Sequence, residues 1–234
     1  MKLHPLRLLQ ISALLLLGAG FYWPVLSFLS GSNPLHPEES FLQGEFFLDF
    51  LSDPWNLRVI AFSLFQAFLS ALLSILVGLP GAWLLTHYNF PGQRWFKLLT
   101  YLPFILPSIL VVLAMVLFFG NNGWINRGLM ALLGTEEPPV QFLYSLSGIL
   151  IAHVFYNFPI AMKIIGDQWE RISEQYLQAA RSLGAGNTKR YFRITLPLLL
   201  PSIGSAFVLI FLLCMNSFAI ILVLGGGIRY TTIE

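Results

Sequence analysis

Five stretches of this chain contain no Asp, Glu, Lys or Arg: Leu8 to Pro37, Val59 to Gln93, Leu98 to Asn126, Pro138 to Met162 and Ile194 to Ile228. An apolar helix needs roughly 20 residues to cross the hydrocarbon core of a bilayer, and each stretch is longer than that. With no water in the bilayer core, such a segment must satisfy its own backbone hydrogen bonds, which favours a helix. The charge-free runs therefore predict an all-α membrane protein with five spans, near 8–29, 59–82, 98–119, 143–164 and 202–224. Composition agrees, because only 10% of the residues are charged and 56% are hydrophobic, whereas about a quarter of a soluble domain is charged.

The first run follows Lys2, His4 and Arg7, as the apolar core of a secretory signal peptide would. It continues through "GAGFYWPVLSFLS" without an A-x-A cleavage site, so it is read as a retained signal-anchor. Orientation follows from the basic residues, which concentrate in short cytoplasmic loops. With the N-terminus inside, the inner segments hold Lys2, Arg7, Arg94, Lys97, Lys163, Arg171, Arg181, Lys189, Arg190 and Arg193, and the outer ones only Arg58, Arg127 and Arg229. This asymmetry predicts a cytoplasmic N-terminus and a cytoplasmic loop over 167–196.

That loop is the most polar long stretch of the chain. Trp169, Ile172, Tyr176, Ala180 and Leu183 recur at spacings of three and four, which predicts one amphipathic helix. Gly184 falls just beyond the stripe, where helices commonly end in a left-handed residue. Asn187 is then placed to cap a second short helix, "TKRYFRIT", closed by Leu196-Pro197. Such an elbow could dock on a partner, or lie on the inner leaflet with Lys189, Arg190 and Arg193 among anionic headgroups.

Gln178-Ala179-Ala180, Gly184 after three residues, and Ile194-Thr195-Leu196-Pro197 after nine more resemble the EAA loop of the transmembrane subunits of ATP-binding-cassette importers. The resemblance implies half of a type I importer permease, with this loop as the coupling helix that docks in a groove of a cytoplasmic ATPase subunit. It also implies a periplasmic substrate-binding protein and a second permease half, with ATP and Mg bound by the ATPase and no cofactor in this chain. Gln178 departs from the family's usual glutamate, which leaves any ion pair at that position in doubt. "YLPFILPSILVVLAMV" resembles the proline-broken span of these permeases. "GILIAHVFYNFPIAMKII" and "NSFAIILVLGGGIRYTTIE" look closest to the branch that imports thiamine, with the ferric-iron branch next. Chains of both branches are typically double-length fusions, so the resemblance implies the first half of one, stopping where its last helix should begin.

Enzyme chemistry is not expected. There is no Walker A pattern, the four histidines lack metal-ligand spacing, and no nucleic-acid partner is expected. The triple glycine at Gly225 to Gly227 reads as a break or re-entrant turn at the end of a span. Cys214 reads as a small packing residue. His153 and Asn157 lie deep in the fourth span and Asn216 and Ser217 in the fifth. Polar groups at that depth either join helices by hydrogen bonds or face a translocation path, and Gln66 carries the same ambiguity. An ion-coupled secondary transporter is the alternative from another class. It would call for intramembrane carboxylates, and the five expected spans contain none.

Overall fold

A computed structural model describes residues 12, 14–16, 18, 50–225 and 232. The chain divides into two compact units, 1–58 and 59–234. The expected span over 8–29 lies almost wholly outside the described residues, as do Gly226 and Gly227. Apart from helical residues at 12 and 14–16 and a helical turn at 50–52, the regular elements are α1 (Pro54–His87), α2 (Gln93–Ile105), α3 (Ser108–Phe119), α4 (Trp124–Leu133) and α5 (Leu146–Glu170). They continue as α6 (Glu174–Ser182), α7 (Asn187–Arg190), a π-helical turn (Tyr191–Thr195), α8 (Leu196–Met215) and α9 (Phe218–Leu224). Among the described residues, four stretches are long and apolar enough to cross a membrane: Pro54–His87, Ser108–Leu133, Leu146–Glu170 and Asn187–Met215.

Helix ends differ from the expected spans because caps, and not charges, decide where a helix starts. The Asp53 carboxylate accepts from the Trp55 backbone N–H at 2.9 Å, and Pro54 supplies a first helical residue that needs no N–H. α1 therefore begins at Pro54 rather than at 59 and runs for 34 residues, about 50 Å at 1.5 Å per residue. α5 begins after Ser145, whose hydroxyl accepts from Gly148 N–H, and runs on to Glu170, beyond the expected 164.

Two expected spans are broken. The one expected over 98–119 is α2 and α3, separated where Pro107 forces Leu106 into an extended conformation (φ −74°, ψ 145°). The one expected over 202–224 starts earlier, at Leu196, and is interrupted at Asn216 and Ser217 before α9.

Two apolar clusters organise the second unit. Ala67, Ala71 and Ile75 of α1 meet Ala161, Met162 and Ile165 of α5 and Leu199, Ile210 and Cys214 of α8. Val112 and Met115 of α3 meet Ile149 and Ala152 of α5 and Ile220, Ile221 and Leu224 of α9. Close packing between α1 and α5 depends on small residues every fourth position: Ser70, Ser74, Gly78 and Ala82, all buried. A Cβ on Gly78 would lie 2.7 Å from the Ala161 Cβ and 3.0 Å from the Phe158 carbonyl oxygen, so only glycine fits. At the opposite end from the 167–196 loop, fully buried Asn126 of α4 ties down the connection to α5. Its Nδ2 donates to the carbonyls of Gly120 (2.9 Å) and Val140 (2.8 Å), and its Oδ1 accepts from Val140 N–H at 2.9 Å.

Candidate functional site

The first candidate site is the elbow over 167–196. The sequence periodicity predicted one helix from Trp169 to Leu183, but the chain breaks at Arg171 to Ser173. Ser173 starts a new helix, with its hydroxyl accepting from Gln175 N–H at 3.3 Å, and a cap of this kind overrides periodicity. Trp169 consequently belongs to the last turn of α5, where it is buried and meets His87 edge-to-face at 5.4 Å between centroids. The stripe is thus not one face. Ala180 is buried, whereas Tyr176 is 62% exposed and Leu183 88%.

α6 ends in a double hydrogen bond around Gly184. Ala185 N–H donates to the Ala180 carbonyl and Gly184 N–H to the Arg181 carbonyl, both at 2.9 Å, with Gly184 at φ +76°. This Schellman arrangement requires the left-handed region, which a side chain disfavours. Asn187 is the first residue of α7 and not its cap, since Gly186 occupies the cap position. Its Oδ1 accepts from the Arg190 guanidinium.

Pro197 does not stop the helix. The chain passes from α7 through the π turn into α8, and Leu196 N–H donates to Tyr191 five residues back. A proline ring clashes with the carbonyl four residues before it in a regular helix; the wider π turn ahead of Pro197 relieves that crowding. Gln178, Ala179 and Gly184 are exposed, and Ile194 and Leu196 half-buried, with Pro197 exposed. The elbow thus presents a polar and small-residue surface bearing three exposed apolar side chains, Tyr176, Leu183 and Phe192.

The second candidate site is a polar seam between α1, α5 and the α8–α9 break. Ser217 donates from Oγ to the Cys214 carbonyl at 2.9 Å. It can therefore accept from Nε2–H of His153, 2.6 Å away. That leaves Nδ1 of His153 to accept from the Ser70 hydroxyl at 2.9 Å. The imidazole, with no exposed surface, joins three segments. Asn157 donates from Nδ2 to the His153 carbonyl at 3.0 Å and lies 3.4 Å from the Cys214 sulfur. Gln66, which sequence reading left ambiguous, donates from Nε2 to the Cys214 carbonyl at 3.3 Å. The buried oxygens Gln66 Oε1 and Asn157 Oδ1 have no partner. Asn216 stands apart from this group: it is exposed, and its amide donates back to the Leu212 carbonyl at 2.8 Å. Of the four residues singled out at depth, His153 and Asn157 are buried, Ser217 is half-buried and Asn216 is exposed.

Residues 70–234 match the family described as binding-protein-dependent transport system inner membrane component. The chain is 37% identical over 183 residues to the thiamine transport system permease protein ThiP of Brucella abortus (strain 2308), covering 78% of this chain and 33% of that one. To ThiP of Escherichia coli (strain K12) it is 37% identical over 182 residues, with the same coverage of 78% and 33%. The chain thus spans about a third of the length of these curated relatives. In fold it resembles a bacterial ABC transporter involved in the import of the acidic polysaccharide alginate, with a TM-score of 0.74 at 17% identity, over 96% of this chain and 78% of that one. The MetNI methionine ABC transporter in an inward-facing conformation gives a TM-score of 0.53 at 19% identity, over 73% and 74% of the two chains.

Proposed function

Because the chain belongs to the family of binding-protein-dependent transport system inner membrane components, we propose that it forms one permease half of an ATP-driven importer whose cargo is thiamine. The observation that carries the cargo is the 37% identity to thiamine permeases over 183 residues. Members of this family are transport subunits, and ATP is hydrolysed in this reading by a separate ATPase that binds it with Mg. A periplasmic binding protein delivers the solute, and a second permease half, fused or separate, completes the path.

In this scheme the N-terminus and the 167–196 elbow are cytoplasmic, and α6 is the coupling helix. Tyr176 and Leu183 are its apolar anchors in the ATPase groove. Gln178 and Ala179 offer a neutral surface between them. Gly184 and the π turn transmit the push to α8. Asn216 and Ser217, at the interruption between α8 and α9, border the path. His153 and Asn157 act behind them by fixing that interruption. Thiamine is a cationic heteroaromatic, and a path with neutral polar groups and aromatic rings suits it by stacking and cation–π attraction.

The test is uptake. A strain lacking this locus is expected to lose accumulation of labelled thiamine at low external concentration while ferric iron enters normally. Loss of iron uptake with thiamine uptake intact would move the assignment to the ferric-iron branch. Dependence on an ion gradient with no need for ATP would replace it by a secondary transporter.

A further inference from the structure

A cavity of about 540 Å³ opens beneath the elbow, between the end of α1, the end of α5 and the start of the α7–α8 helix. Arg190 and Arg181 both line it. Arg190 is only 8% exposed, and its planar guanidinium presents five N–H donors. Of its five donors, one is taken by Asn187 Oδ1, and the buried Nε has no partner. The one ion pair among the described residues joins Lys163 and Asp167, so no described carboxylate is in ion-pair contact with Arg181 or Arg190. Glu170 also lines the cavity but forms no ion pair with either arginine.

A buried guanidinium with no carboxylate in contact is costly, and its fork of N–H donors matches a phosphate in two-point contact. We propose that this cavity binds a phosphate group, held by Arg190 with Arg181 as the second cation. The remaining wall supports the same chemistry. Trp83, Trp169 and Tyr191 line the cavity, and such aromatic side chains collect at the depth of lipid headgroups. Thr195 and His87 supply further polar atoms. The phosphate could therefore come from an anionic lipid or from a soluble compound; the recognition is the same. The site is independent of the cargo and of the path.

The full chain in neutral detergent provides the assay, because Trp83 and Trp169 lie on the wall and their emission reports occupancy. Inorganic phosphate is titrated in one arm. In the other, nanodiscs of pure phosphatidylcholine are compared with nanodiscs containing phosphatidylglycerol. Binding is expected in at least one arm. A response in the nanodisc arm alone identifies a lipid source, and a response to inorganic phosphate identifies a soluble one. R181Q and R190K are expected to weaken binding by about tenfold or more. K189Q/R193Q, which changes exposed neighbours, should change it by less than about twofold. Should R190K fail to fold, R181Q alone decides. Three results would overturn the proposal: no response in either arm, equal losses in the cavity and control variants, or a response only when the ATPase subunit is added. The last would mean that the arginines receive a carboxylate of that partner.

Discussion

Single residues set the elbow and the seam. Gly184 faces open space, since a Cβ there would meet nothing within 4 Å. Its φ of +76° is therefore the whole reason for glycine. Gly184→Val is expected to cost the loop about 1–2 kcal/mol, and Gly184→Asn less, because asparagine visits the left-handed region more readily. Thermal unfolding of the two variants checks the ranking. In the complete importer, transport and substrate-stimulated ATP hydrolysis should fall in the same order, and normal coupling in the valine variant would remove α6 from its role. His153→Ala removes a ring that serves Ser70 and Ser217, and each serine then loses a partner. A double-mutant cycle of H153A with S70A should return a coupling of about 0.6 kcal/mol, and at most about 2. A coupling of zero would mean that the two side chains act separately.

At the scale of helices, α1 against α5 is held by a stripe that tolerates no bulk. Gly78→Leu has no room beside Ala161, and overpacking of this kind costs about 1–3 kcal/mol or more. Gly204→Ala on α8, where a Cβ meets nothing within 4 Å, should be neutral or stabilise by up to about 1 kcal/mol. Melting temperatures in detergent test the pair, and an equal effect of both would contradict the packing. The charge-free runs made the four described spans legible in the sequence, but not their ends. Asp53, Ser145 and Ser173 start helices through local hydrogen bonds that a count of charges or a 3.6-residue period does not register. The break at Pro107 could be read from the sequence. The one at Asn216 and Ser217 could not, because it is stabilised by Gln66 and His153 from distant parts of the chain. The loop motif was readable by its spacing, yet the passage of Pro197 through a continuous helix was not. That passage depends on a π turn, which leaves no periodic trace.

For the whole molecule, the basic residues argue for one orientation, and two exposed positions at opposite ends test it. Cysteines placed at Asn122 and Thr188, both exposed, should label from opposite faces, with Thr188 reached only from the cytoplasm. Cys214 is fully buried and should stay unlabelled, so the native residue is an internal control. Labelling of both positions from outside would overturn the N-inside topology. Asn126→Ala is expected to cost about 1–3 kcal/mol, because two carbonyls and one N–H lose their partner together. Faster proteolysis of residues 134–145 in the variant would report the loosened connection.

The polar seam also bears on biogenesis. Gln66 meets its acceptor 148 residues later in the chain, and His153 meets Ser217 after 64. Throughout synthesis up to that point, the earlier helices enter the membrane with the Gln66 amide and one nitrogen of the His153 imidazole still lacking these partners. Unmet polar groups in the bilayer core are costly, so a chain at this stage is expected to be held by the insertion machinery or removed by membrane proteases. Arrival of the α8–α9 interruption supplies the acceptor of Gln66 Nε2 and the second partner of His153. A nascent chain stalled before Cys214 should therefore remain associated with chaperones or be degraded, and one released after Ser217 should escape both.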